Sequence, residues 1–316
     1  PVLSGPCKGD RHRQYYETIS LTEYLRSGKN VFCAQVLCCD AETADVQTDE
    51  RASIYGVISH SCGHRFAIEG VGKDKNGSEL FTLTSGIADW RVYLDGSYYL
   101  KSSEVTQFLG AVTEDLDMAE TPWNWKTIDY DMTSWRKAAA AETVDLSVNP
   151  LFAAGVIQRF RIREREIPEA YEREGRFVRA FQVPSGEEIP LLQDGKMTVA
   201  AGQKVQFVLD AGYIQNTYPS FRMEGGNGVI LSITYFEKFG GEGSDLKRTD
   251  YIHGKIVGMT DRVRVPGGKA CFEPFWVRCF RFLSVSVEAE EEALTLYVPE
   301  FRRTGYPLET GSAVRS

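Results

Sequence analysis

Residues 114–135 concentrate the side chains best suited to chemistry. The run EDLDMAETPWNWKTIDYDMTSW holds Trp123, Trp125 and Trp135, three of the chain's five tryptophans, interleaved with Asp117, Asp129, Tyr130 and Asp131. An indole face stacks on the apolar C–H face of a sugar, and a carboxylate accepts the protons of its hydroxyls, so this composition suits carbohydrate contact. Trp123, Trp125, Trp135, Asp129 and Asp131 are therefore the candidate binding residues. Carboxylates grouped this densely also offer the oxygen ligands that Ca²⁺ takes. The plainer alternative is that the tryptophans cover the end of a hydrophobic core, where large aromatics usually go.

Other chemistries find less support. Glu114, Asp115, Asp117 and Glu120 can supply a carboxylate pair about 5–10 Å apart, the spacing of acid/base glycoside hydrolysis, but an acidic surface loop explains them better. His60-Ser61-Cys62-Gly63-His64 presents two imidazoles and a thiol, short of the four ligands of a zinc site, and His12 and His253 are remote in sequence. A polar hairpin is the plain reading. With four histidines and no Gly-x-Ser-x-Gly turn, a nucleophile beside its base is poorly supported. The glycine clusters follow sheet turns and do not open helices, so no phosphate cradle is present. No catalytic residue and no metal ligand is assigned. Arg159, Arg161, Arg163 and Arg165 alternate along one strand face; the stripe suits an acidic partner, or more simply a solvated face paired with Glu164, Glu166 and Glu169.

The elements that must position these residues read as strands. Residues 205–209 and 229–236 are rich in β-branched and aromatic side chains with polar residues at period two, and 280–287 alternates more cleanly still. Glycine-rich turns separate them, as at Gly225-Gly226-Asn227-Gly228 and Pro266-Gly267-Gly268. The first half predicts strands near 30–37, 53–59, 66–71, 80–84 and 98–101. Helix is scarce: one short turn over 21–27, with Thr22 as a possible cap, and an alanine-rich candidate at 135–142. Many short strands with such punctuation imply an all-β chain of antiparallel β-sandwiches, jelly-roll-like, with little helix.

A length of 316 residues suggests two domains. Residues 138–150 carry no clear period and end on Asn-Pro, so they read as the linker and the domains as 1–145 and 146–316. The whole excess of acid, a net charge of −8, lies before residue 151, which argues against a general nucleic-acid binder. No run approaches the ~18 apolar residues of a membrane span. Seven cysteines, odd in number and several inside apolar runs, suit buried thiols of a reduced protein. That leans toward the cytoplasm and leaves a periplasmic or secreted location open. The chain opens at Pro1, so a signal peptide cannot be judged.

Ordered sequence words carry a family resemblance. In the second half, Val208-Leu209-Asp210-Ala211-Gly212, Tyr218-Pro219, Gly225-Gly226-Asn227-Gly228, LSITYFE at 231–237 and a loop with Asp250, Gly258 and Asp261 come in succession. Then follow Phe272-Glu273-Pro274-Phe275-Trp276, Arg278-Cys279-Phe280-Arg281-Phe282 and Thr304-Gly305-Tyr306-Pro307. This half resembles the β-sandwich that precedes the catalytic domain of bacterial α-L-rhamnosidases. Tyr15-Tyr16-Glu17-Thr18, residues 21–31, and the set Glu114, Asp117, Trp125, Asp129, Asp131, Ser134 and Trp135 resemble the family's N-terminal sandwich, with Ser20, Tyr130 and Thr133 as departures. The resemblance implies an inverting glycoside hydrolase whose acid and base lie on an (α/α) barrel beyond residue 316. It implies that the opening strands of the first sandwich are missing, and that the chain is a non-catalytic piece whose partners are that barrel and a rhamnose-containing carbohydrate. A free-standing carbohydrate-binding module and a purely structural or adhesive sandwich are the rival readings.

Overall fold

The computed structural model describes residues 2–3, 5, 13–37, 66–102, 112–139, 161–240, 254–308 and 311. Nearly all regular structure is β. The first half contributes β1 (Arg13–Tyr16), β2 (Val71–Lys73), β3 (Glu79–Thr82), β4 (Arg91–Val92), β5 (Tyr98–Ser102), β6 (Val112–Asp117) and β7 (Arg136–Lys137). The second half begins with β8 (Arg161–Glu164), β9 (Tyr171–Gly175), β10 (Arg179–Gln182), the one-turn α-helix α1 (Leu191–Asp194) and β11 (Lys196–Val199). It continues with β12 (Gln203–Gly225), β13 (Ile230–Phe236), β14 (Met259–Arg264), β15 (Lys269–Phe272), β16 (Arg278–Ala289), β17 (Leu294–Tyr297) and β18 (Glu300–Gly305).

The 23-residue β12 organises the molecule. Its first stretch lies between β10 and β16, its middle between β16 and β18, and its end between β15 and β17. Changing partners along one strand folds the twelve-stranded sheet over into a sandwich-like body. Residues 211–214 interrupt the ladder, because Asp210 faces Phe282 and the next paired residue, Gln215, faces Phe280. Such an insertion re-aims the side chains beside it.

Registered apolar rows fill the interior. Tyr98, Leu116, Val263, Leu231, Val287 and Val205 stand side by side across β5, β6, β14, β13, β16 and β12. Ile233, Val285 and Phe207 form the next row. Phe221 and Phe272, 6.0 Å apart and stacked, face the same core from the second layer. The opposite side of the main sheet has its own small cluster of Phe181, Val208, Phe236, Phe239 and Phe282. Each fully buried side chain of this size contributes about 1.5–3 kcal/mol relative to exposure. Gly258 is required where β14 begins, since a Cβ there would lie 2.0 Å from the Tyr235 carbonyl oxygen.

The pairing is antiparallel with two exceptions among the described strands. β1 runs parallel to β8, and β6 runs parallel to β14. Both join the first half of the chain to the second, so sheet hydrogen bonding crosses the expected 145/146 boundary. Local expectations differ in places. Residues 31–37 form no strand: their side chains are mostly exposed, and no strand among the described residues pairs with them. The segment around 21–27 contains only a 3-10 turn, Thr22–Tyr24, with no side-chain cap. Arg136–Lys137 pairs with β4 in place of the expected alanine-rich helix, because cross-strand pairing overrides a weak local preference. The 53–59 strand, His60, Cys62, His64, His12, His253 and Arg159 lie outside the described residues.

Candidate functional site

The 114–135 segment leaves the sheet through β6. The Met118 N–H donates to the Arg264 carbonyl and the Asp117 N–H to the Ser97 carbonyl, which fixes where the loop starts. Asp117 then turns the chain by accepting the Ala119 N–H at 3.0 Å. Asn124, at φ 63°, reverses it again, and its backbone carbonyl accepts both the N–H and the side-chain hydroxyl of Thr127, each at 2.8 Å; asparagine tolerates this left-handed backbone better than most residues. The Asp131 carboxylate accepts the Thr133 N–H at 2.9 Å, and these hydrogen bonds from Thr133 hold it below the usual carboxylate range. Successive side-chain-capped turns of this kind need no helix or strand to be specific.

The return of the loop into β7 assembles an aromatic cluster. Because Val92 pairs with Arg136, the next residues, Tyr93 and Trp135, come together and stack at 5.4 Å. Trp125 lies 6.2 Å from Trp135, and Tyr130 meets it edge-on at 5.7 Å. Lys126 places its ammonium 5.1 Å from the Trp125 ring centre. Cys33 donates to the Trp125 carbonyl, and burial pushes its thiol up. Of the candidates, Trp125 and Trp135 are brought together and remain partly open to solvent. Trp123 is not part of the cluster; its indole N–H donates to the Met118 carbonyl at 3.0 Å. Asp129 and Asp131 are exposed on the same loop. No three His, Cys, Asp or Glu side chains converge as a metal site among the described residues. Tyr93 joins from just beyond β4, far upstream of the loop, so local composition does not reveal it.

A second constellation lies at the root of the same strand. Glu114, expected on an acidic surface loop, is buried in β6, and Asp261, expected in a loop, is buried in β14. Both close on Arg278, which is 1% exposed. Arg278 Nε and Nη2 donate to Asp261 Oδ2 and Oδ1, and Nη2 also donates to Glu114 Oε1, all at 2.9 Å. The Glu114 N–H donates to Asp261 Oδ1 at 2.8 Å, and the N–H groups of Phe275 and Trp276 donate to the Glu114 carboxylate. Burial pushes Glu114 up to about 7 against the pull of Arg278. Asp261 is raised for the same reason, again opposed by Arg278. Arg278 is raised beyond its ordinary range because the two carboxylates outweigh its own burial. Tyr235, whose ring centre is 5.4 Å from the Arg278 guanidinium carbon, is raised by burial first and by Asp261 next. Two carboxylates do converge here, but around an arginine and out of solvent. The arginine stripe is similarly occupied: Arg163 pairs with Glu166 at 3.6 Å, and Arg165 pairs with Glu17 and donates to the Ile167 and Pro168 carbonyls.

No protein-family model matches the chain, and no curated protein matches it significantly. Among solved structures it is similar to the native α-L-rhamnosidase of Aspergillus terreus, with 18% identity over 72% of this chain and 22% of that one, at TM-score 0.41. It is similar also to the α-L-rhamnosidase of Dictyoglomus thermophilum, with 14% identity over 74% and 21%, at TM-score 0.40. A Klebsiella oxytoca rhamnosidase with rhamnose bound gives 15% identity over 43% and 30%, at TM-score 0.29. The chain thus spans under a third of the length of each.

Proposed function

We propose that this chain is a non-catalytic β-sandwich region of an α-L-rhamnosidase, a glycoside hydrolase acting on terminal α-L-rhamnose, and that it packs on and supports a catalytic barrel. The ordered sequence words from Tyr15 to Pro307 support the family, and the all-β architecture agrees with a sandwich role. The single observation that carries the non-catalytic reading is the sealed state of Glu114 and Asp261 on Arg278. Hydrolysis assays on residues 1–316 and on a chain extended into a barrel test it. Release of rhamnose by residues 1–316 alone overturns the reading.

A second reading, direct binding of rhamnosides, rests on the Tyr93–Trp135–Trp125–Tyr130 cluster, whose partly exposed faces offer stacking surface beside Asp129 and Asp131. Stacking of a sugar on aromatic faces needs no further machinery than rings held in place. Rhamnose titration by calorimetry, with and without Ca²⁺, separates the two: heat that is lost in Trp135→Ala supports binding, and no heat from the wild type leaves the supporting role alone.

A further inference from the structure

The pairing of β9 with β18 sets Arg173 directly opposite Arg303. Like charges opposite one another on adjacent strands are unfavourable, and neither guanidinium pairs with a carboxylate among the described residues. Arg303 donates through Nη1 to the Tyr213 hydroxyl, while its Nε is buried with no hydrogen-bond partner. Gln215, two residues beyond Tyr213, likewise buries its Oε1 with no partner. Native structures rarely leave such atoms unanswered, and each instance calls for a reason. Arg173 lies over the Tyr171 ring at 4.9 Å, and Tyr171 in turn faces Gly305, whose missing side chain leaves room for the Tyr171 hydroxyl. The floor is apolar. Phe301, two residues from Arg303 and so on the same face, packs on Phe177 at 4.8 Å and on Phe280 at 6.0 Å. Gly175 is obligatory beneath it, since a Cβ there would lie 1.9 Å from the Phe301 ring. Tyr213, from the 211–214 interruption of β12, is 52% exposed and stands at the rim.

We propose that this end of the sandwich binds the acid group of a carboxylate-bearing sugar. Arg303 and Arg173 supply the two positive forks, and an anion between them turns their mutual repulsion into attraction. Low-dielectric walls of phenylalanine strengthen that field. Gln215 Oε1 accepts a sugar hydroxyl, and Tyr171 and Tyr213 flank the ring once the half-exposed Tyr213 swings aside. The site is independent of the Trp125–Trp135 cluster and of the rhamnosidase assignment.

The test is calorimetric titration of the chain at low ionic strength with sodium D-glucuronate, inorganic phosphate and neutral glucose. Wild type, Arg173→Gln, Arg303→Gln and Trp135→Ala are compared, with circular dichroism to check folding. Glucuronate is expected to bind wild type and Trp135→Ala alike with a roughly millimolar dissociation constant. Binding is expected to weaken about 10- to 100-fold in Arg173→Gln, the size of one lost charge-assisted contact, and to vanish in Arg303→Gln. Glucose is expected to give no heat. Arg173 is exposed, so its variant stays informative if Arg303→Gln misfolds. No glucuronate binding, equal binding in Arg173→Gln, or tighter binding of phosphate than of glucuronate overturns the proposal.

Discussion

Arg278 holds Asp261 in a two-pronged grip, Nε on Oδ2 and Nη2 on Oδ1, both at 2.9 Å and both out of solvent. The pair ties the start of β16 to β14, with Glu114 of β6 as a third member. Removing the cation leaves Asp261 and Glu114 in the interior without the partner that both close on. Arg278→Met is therefore expected to cost about 3–5 kcal/mol, the usual size for breaking a buried ion pair on one side. Urea denaturation followed by tryptophan fluorescence measures it; a loss under ~1 kcal/mol, typical of an exposed pair, would show that the cluster is solvated.

Glu114 makes stability depend on pH in an unusual direction for an acid. Its folded value, about 7, lies above the ordinary 4.5, so the folded state holds a proton that the unfolded state releases. This group's contribution is complete below about 4.5, declines as pH rises, and is gone above about 7. Glu114→Gln, which cannot titrate, is expected to gain on wild type across that window by about 1–3 kcal/mol, since each pH unit between the folded and unfolded values is worth about 1.4 kcal/mol. Melting temperatures of both proteins from pH 4 to 8 check it, and parallel curves sink it.

Trp135 is the hub of the aromatic cluster, touching Tyr93, Trp125 and Tyr130. Trp135→Ala is expected to abolish any rhamnose heat in calorimetry, because no neighbouring ring can replace its faces. Trp123→Phe, which removes only the bond to the Met118 carbonyl outside the cluster, is expected to leave that heat within about twofold, a change of under ~1 kcal/mol. Equal losses in the two variants would disprove the assignment of the platform to Trp135.

Two substitutions far from any site gauge the fold itself. Phe207, fully buried in the row with Val285 and Ile233, is expected to cost about 3–5 kcal/mol as Phe207→Ala. Arg222 pairs with Glu300 at 2.7 Å, but both side chains are more than half exposed. Arg222→Ala is expected to cost less than ~1 kcal/mol. Chemical denaturation of both variants is the check, and a reversal of their order would refute the placement of the core.

The strands of the core were readable because their apolar residues repeat at period two: 205–209, 229–236 and 280–287 all lie within or across observed strands. The same periodicity also marks the buried charges. Glu114 alternates with Leu116, Asp261 with Val263, and Arg278 with Phe280, so each sits on an inward face. What the pattern withholds is the partner, since Glu114 and Arg278 meet only through β6 lying beside β14, a non-local parallel pairing. Short segments such as β4 and β7 are two residues each and too brief to carry a period. The Tyr93–Trp135 stack was hidden for that reason, although Trp125 and Trp135 were recognisable from composition alone.

The placement of β6 beside β14 has a bearing on how the polypeptide can be divided. Removing residues 1–145 would take away the strand that pairs Asp115–Asp117 with Arg262–Arg264 and leave the flank of the larger piece bare. It would also pull Glu114 away from Arg278. Such a bare flank invites pairing with other copies, so the two pieces, co-expressed, should reassociate through this seam as a split protein does, whereas the larger piece made alone should self-associate.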